Sequence, residues 1–262
     1  MATILFDGVA YGMLMFVLAC GLAVTLGLMN FVNLAHGAFA MAGGYVTVIL
    51  MGQWNMPFLA CLPIAFVASA ALGLLLERTL YVHMYGRSPL EQVLFSIGLV
   101  FIAVAVTDYF MGSSQRNIQL PAWLPGRREV LGASIGIYRS FLIVLCGALA
   151  LVLQLALMKT RFGSRLRAAV DDARVARGLG IPVGFVFAAT FAVGSGLAGL
   201  GGALGVELLG LDPYFPLKFM IYFLIVVTVG GTSGIMGPSS PRYCSASPTS
   251  RASITCLRIS AA

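Results

Sequence analysis

Charge is what this 262-residue chain has least of. Only 10% of its residues are Asp, Glu, Lys or Arg, where about a quarter is usual in a soluble domain. None stands between Gly8 and Leu76, a run of 69 residues. A water-soluble globule has no way to hide that much apolar chain behind its polar shell, so a soluble enzyme is excluded. Histidine is nearly missing. His36 and His83 are too few for a metal cluster, and no pair among the five cysteines has C-x-x-C spacing. Cys20, Cys61 and Cys146 fall in apolar runs, where a thiol acts as a small hydrophobe. The boxes H-E-x-x-H and G-x-S-x-G are also absent, and no catalytic residue, cofactor or metal is expected. No G-x-x-x-x-G-K-[ST] occurs either, so if ATP drives this protein another chain must bind it. The first seven residues hold Asp7 and no Lys or Arg, which argues against a cleaved signal and for a retained anchor near 8–29.

What is present is 60% hydrophobic, and the fold class that follows is an all-α polytopic transmembrane bundle. About 20 apolar residues cross the hydrocarbon core as a helix. Spans are expected near 8–29, 56–76, 90–111, 139–158, 184–206 and 217–237. A further run, 37–52, is shorter and holds Gly37, Gly43 and Gly44, which predicts a short or broken second helix and about seven spans in all. Loop 159–183 carries six Lys and Arg and is expected in the cytoplasm. Loop 207–216 has Glu207 and Asp212 with no Lys or Arg and is expected outside, with the N-terminus outside as well if 37–52 crosses. Residues 112–138 go against this count, being external yet holding Arg116, Arg127 and Arg128; with Pro121, Trp123, Pro125 and Gly126 they suit an ordered hairpin. The net charge of +7 belongs to cytoplasmic loops under this reading, with membrane lipid rather than nucleic acid as partner.

Three motifs stand out. Asn30-Phe31-Val32-Asn33-Leu34-Ala35-His36-Gly37 lies between two apolar runs. A helix starting near His36 would aim free N–H groups and a positive dipole end into the protein, as broken transporter helices do toward anionic groups. Asn30, Asn33, His36, Gly37, Gly43 and Gly44 are the candidate path residues. A polar turn at the membrane surface is the plainer alternative. The second motif is 159–183, where Ser164 suits the N-cap of a first short helix, Asp171 or Asp172 that of a second, and Gly178, Gly180 and Pro182 end it. Leu166, Ala169, Val170 and Ala173 form an apolar stripe beside Arg165, Arg167 and Arg174, a pattern that fits docking into another protein's groove or lying on anionic lipid. The third, Gly194-Ser-Gly196-Leu-Ala-Gly199, matches G-x-G-x-x-G but sits inside an apolar run. With Gly201, Gly205 and the small-residue pairs Ala198/Gly202, Gly8/Gly12 and Ala40/Gly44, it reads as helix packing rather than dinucleotide binding. Glu91, Asp108 and Glu207 fall at span ends, where side chains snorkel to water.

Asn33-Leu34-Ala35-His36-Gly37 followed by Ala42-Gly43-Gly44-Tyr45 resembles the permease of branched-chain amino acid ABC importers. The segment from Arg161-Phe-Gly to Leu179-Gly180-Ile181 resembles that family's ATPase-contacting loop, which makes Arg165, Arg167, Asp171, Asp172, Arg174 and Gly180 the candidate coupling residues. Gly230-Gly231-Thr-Ser-Gly-Ile-Met-Gly237-Pro238 resembles its late glycine-rich signature. The resemblance implies a bacterial inner-membrane permease without an ATPase site of its own. Its partners would be a second related permease, two cytoplasmic ATPase subunits and a periplasmic substrate-binding protein. Leucine, isoleucine and valine are the implied substrates, with urea or short amides as an alternative. A passive half-helix channel of the aquaporin type would usually carry two Asn-Pro-Ala boxes, and none occurs.

The domain organisation expected is a permease domain over 1–238 and a tail over 239–262. The tail holds seven serines, three arginines and no acid, where the resemblance implies a further apolar segment. A reading-frame shift near Pro238, a disordered tail and an unstable or inactive permease are the expectation.

Overall fold

The computed structural model describes residues 2–29, 33–118, 121, 124, 126–130 and 133–230. Asn30, Trp123, most of the late glycine-rich segment and the whole of 239–262 lie outside the described residues, and the expectations attached to them with it.

The described chain is a helical bundle: α1 (Ala2–Met29), α2 (His36–Trp54), α3 (Phe58–Thr79), α4 (Pro89–Met111), α5 (Ile137–Lys159), α6 (Arg161–Asp171), α7 (Ala173–Gly178), α8 (Val183–Leu209) and α9 (Phe215–Gly230). Five of these, α1, α3, α4, α5 and α8, are long and apolar enough to cross a membrane. The apolar α9 is shorter over its described length. The second helix is neither broken nor curtailed at its glycines. It runs unbroken for 19 residues, about 28 Å, and Asn55, at φ 48°, ends it. The backbone of Gly199 stands where a Gly43 side chain would, and Leu211 and Val206 stand where a Gly44 side chain would. Helix α1 starts earlier than its apolar run, since Asp7 pairs with Arg139 of α5 and is tolerated inside the helix.

Helix α8 is the axis of the bundle. It packs against α1, α2 and α3, and most of its face from Phe191 to Val206 is buried. Outside this group lie α4 and α5, which turn large apolar side chains such as Phe101, Ile102, Val144 and Val152 away from the protein. Bilayer hydrocarbon solvates such a surface, so its exposure costs nothing.

The two ends of the bundle differ. At one end β1 (Arg127–Val130) and β2 (Ala133–Gly136) form an antiparallel hairpin in register Arg127↔Gly136 to Val130↔Ala133. Beside it Arg116 and Leu211 exchange backbone hydrogen bonds of 2.7 and 3.2 Å. Arg116 also donates from its guanidinium to the Met111 carbonyl at 3.0 Å, closing the C-terminus of α4. An arginine in this loop therefore has a structural job that a charge count misses. The opposite end carries α6, α7 and the connector 80–88 between α3 and α4. That connector holds a single 3₁₀ turn, Tyr81–His83, and leads into α4 through a Ser88/Glu91 capping box. Glu91 serves that cap rather than simply reaching for water.

Candidate functional site

The first turn of α2 begins deep inside the bundle. His36 is 2% exposed and Asn33 is fully buried. The His36 ring nitrogen Nε2 lies 3.0 Å from the carbonyl oxygen of Leu18, and a side chain added at Gly21 would meet the His36 ring. Leu18 and Gly21 stand 11 and 8 residues before the end of α1, roughly 12–16 Å along its axis. The N-terminus of a helix carries free N–H groups and partial positive charge, and here it is held inside protein.

Asn33 organises this start. Its Oδ1 accepts from the Ala35 N–H at 3.1 Å and from the Tyr81 hydroxyl at 3.0 Å. The first bond fixes the amide's orientation, because a backbone N–H can only donate. Nδ2 is thereby committed as a donor, and it has no hydrogen-bond partner among the described residues. A buried donor left unpaired costs about 1–3 kcal/mol. Gly37 lies against Pro216 at the start of α9, whose Cα stands 2.9 Å from where a Gly37 Cβ would be.

Glycines set how closely the surrounding helices approach. A Cβ at Gly43 would strike the backbone of Gly199, and one at Gly202 the Ala40 carbonyl, so α2 and α8 touch backbone to backbone. Gly44 faces Leu211 and Val206. On α8, Gly194 meets Gly21 of α1, Gly196 meets Phe66 and Ala70 of α3, Gly199 meets Ser69, and Gly201 meets Leu18. Gly205 sits beside Leu209 and Leu14. The pair Gly8/Gly12 behaves otherwise, since neither has an atom within 4 Å of its Cβ position. Small-residue spacing marks a face that permits close approach, but nothing in the described residues approaches this one.

The helix pair α6–α7 differs in one detail from its sequence reading. Thr160, not Ser164, caps α6: its Oγ1 accepts from the Gly163 N–H at 3.2 Å. Ser164 is already inside the helix, donating to the Arg161 carbonyl at 2.9 Å. The cap moves four residues earlier because α5 ends at Lys159 and leaves only one residue before α6. Asp172 caps α7 through bonds of 2.8 and 3.0 Å from the N–H groups of Arg174 and Val175, while Asp171 is the last residue of α6. Gly180, at φ +80°, makes the turn into α8. Leu166, Ala169 and Ala176 are buried against Leu157, Val183, Val186 and Phe187. Arg167 is bound to the Leu157 carbonyl. Arg165, Arg174 and Arg177 face outward with Val175 and Leu179, the last 75% exposed. An exposed valine and leucine one turn apart, framed by arginines, form a protruding apolar knob with a charged rim.

Sequence reasoning missed Glu77, Tyr81 and Tyr85. Glu77 is 2% exposed; its Oε1 accepts from the Tyr85 hydroxyl at 3.2 Å and its Oε2 lies 3.7 Å from Arg78 Nε. Burial, reinforced by the Glu77 carboxylate, pushes the Tyr85 hydroxyl well above its ordinary value, so it stays protonated and donates. Burial raises Tyr81 in the same way. The available signal was the spacing of 77, 81 and 85, which places the three about one helical turn apart if the helix continues.

Bundle architecture and composition define a multi-pass membrane protein. Residues 4–240 match the family described as branched-chain amino acid transport system, permease component, and the chain belongs to that family. It is similar to the high-affinity branched-chain amino acid transport system permease protein LivH of Escherichia coli K12, 26% identical over 89% of this chain and 80% of that one. BraD of Pseudomonas aeruginosa, also a high-affinity branched-chain amino acid transport system permease protein, is 25% identical over the same shares. A probable branched-chain amino acid transport permease LivH of Methanocaldococcus jannaschii is 28% identical over 89% of this chain and 75% of its own length. No solved structure matches. Family and helices together make this a permease of the inner membrane.

Proposed function

We propose that this chain is a membrane-spanning subunit of an ATP-driven importer of leucine, isoleucine, valine or a close relative. It pairs with a second, related permease, receives substrate from a periplasmic binding protein and is driven by two cytoplasmic ATPase subunits. The observation that carries the reading is the α6–α7 knob. It sits at the end of the bundle richer in Lys and Arg, eight such residues against five at the hairpin end over residues 1–230, which is the cytoplasmic bias. The knob is capped at both helix starts and backed by buried Leu166, Ala169 and Ala176, so it is rigid enough to carry a push. Arg165, Asp172, Arg174 and Gly180 lie on or beside its exposed rim. The substrate carboxylate meets no Lys or Arg between Gly8 and Leu76; the start of α2 offers partial positive charge and the Asn33 Nδ2 donor, unpaired among the described residues, instead, with the His36 ring held beside it by the Leu18 carbonyl.

The test uses the whole transporter reconstituted in vesicles with its ATPases and binding protein. Asp172→Lys removes the α7 cap, and Gly180→Trp puts a bulky side chain, strained at φ +80°, into the open space beside the knob. Both are expected to leave membrane insertion intact while ATP hydrolysis no longer drives uptake. Normal coupled transport in both variants would overturn the docking reading and leave 159–183 as a lipid-facing loop. A cysteine scan over 30–44 is expected to show water accessibility that changes with the ATPase state, and uniform inaccessibility would return the start of α2 to a packing role.

A further inference from the structure

We propose that the connector 80–88 is the link through which movement of the α6–α7 pair reaches the start of α2, with Tyr81, Tyr85 and Glu77 as its positioning residues. The inference rests on the reading of α6–α7 as the coupling segment. The connector is gripped on two sides. Tyr81 donates to Asn33 Oδ1, so any shift of its ring pulls on the amide that also caps the Ala35 N–H. That ring lies 4.8 Å from Phe191 of α8 and 5.5 Å from Phe95 of α4. Phe191 in turn meets Phe39 at 5.8 Å, and Phe39 meets His36 at 6.4 Å. One path therefore runs from the connector to both candidate path residues, by a hydrogen bond to Asn33 and by ring contacts to His36.

The other grip faces the coupling segment. Tyr85 stands edge-on to Phe187 of α8 at 6.0 Å. Phe187 lies one turn from Phe191 on the same face and packs against the two apolar clusters that hold Leu166 and Ala169 of α6 and Ala176 of α7. A displacement of α6–α7 is thus passed to Phe187 of α8 and through it to Tyr85, beside the direct contacts of α6 with α5 and α1. Glu77 ties the Tyr85 hydroxyl to the end of α3, and Gln92 ties the connector to α4 by donating to the Arg87 carbonyl at 3.3 Å. A buried carboxylate is an expensive way to hold one hydroxyl. Its return is an acceptor for the Tyr85 hydroxyl at the joint where α3 meets the connector.

The experiment measures substrate uptake and ATP hydrolysis side by side in the reconstituted transporter. Tyr81→Phe and Tyr85→Phe each remove one oxygen and keep the ring packing. Each is expected to lower uptake about five- to tenfold, the size of an ordinary coupling effect, while ATP hydrolysis and the yield of assembled complex stay within about twofold. The loss should appear in the maximal rate and not in the substrate concentration for half-maximal uptake. Glu77→Leu should match Tyr85→Phe, and Glu77→Gln, which keeps an acceptor for Tyr85, should recover part of the loss. Unchanged uptake per ATP in both tyrosine variants would overturn the link, as would a parallel fall in uptake, hydrolysis and assembly, which is the mark of a packing role. Gly180→Trp run beside them separates the two proposals. If it uncouples while the tyrosine variants do not, the link alone fails; if it and Asp172→Lys both transport normally, the coupling reading beneath the link fails with it.

Discussion

Gly8/Gly12 on α1 and Gly43 with Gly199 across α2 and α8 are built from the same residue type, in equally apolar helices, yet meet different surroundings. The first pair has empty space at both Cβ positions; the second has backbone against backbone. Spacing along a helix specifies which residues share a face, and only the partner decides whether smallness is required. The largest effect follows directly. Gly43→Val or Gly199→Val forces α2 and α8 apart along the central contact of the bundle. Adding methylenes to a packed interior costs typically about 1–3 kcal/mol and more where backbone must move, so these variants should yield little folded protein after detergent extraction. Gly8→Ala and Gly12→Ala should melt within about 2 °C of the parent, as a change of under ~0.5 kcal/mol implies. A full yield of folded Gly43→Val would break the comparison.

The same contrast explains what was legible in the sequence. Charge depletion over 8–76 and the lengths of the apolar runs are properties of single segments, so the helical bundle, and the coarse positions of α3, α4, α5 and α8, can be read from them. Asp172 as the cap of α7 is legible because an Asp before a short helix acts locally. What depended on tertiary neighbours was not. The glycines of 37–52 suggest a break until α8 is seen filling the space beside them. Thr160 displaces Ser164 as the cap of α6 because of where α5 stops. Asn33 and His36 stand out as polar residues in an apolar stretch, but Tyr81, which holds Asn33 from 48 positions away, has no local mark. Glu77 has no local mark either, and its burial comes from Tyr85 and the helices around it.

A second pair of residues sharpens the comparison at smaller scale. Phe191 is fully enclosed, with Phe39 and Tyr81 against its ring, while Phe101 on α4 is 57% exposed and points out of the bundle. Removing a buried phenylalanine ring leaves a cavity, at a cost of about 3–5 kcal/mol. Phe191→Ala should therefore lower the melting temperature by about 6 °C or more, and Phe101→Ala should change it little, because hydrocarbon replaces the ring's contacts. Thermal unfolding of both purified subunits in the same detergent measures this. If Phe101→Ala instead spares the isolated subunit but lowers the yield of assembled transporter, the outward face of α4 is covered by a second permease rather than by lipid.

The smallest effect expected lies where the outer helix α5 is tied to the inner group. Asp7 of α1 pairs with Arg139 of α5 at the hairpin end, each side chain about a third exposed. Water and ions screen such a pair, and its coupling should be at most about 1 kcal/mol. The two single variants should nevertheless differ. The second carboxylate oxygen of Asp7, Oδ1, is buried without a hydrogen bond, so Arg139→Gln strands a half-buried charge, whereas Asp7→Asn leaves an arginine free to turn toward water. Arg139→Gln is therefore the more damaging of the two, and Asp7→Asn in the Arg139→Gln background should restore part of the loss. A double-mutant cycle on melting temperature, repeated at low salt and at high salt, tests both statements. A coupling well above 1 kcal/mol that salt leaves untouched would mean that this end is shielded from water, and that α5 belongs with the inner helices rather than the outer ones.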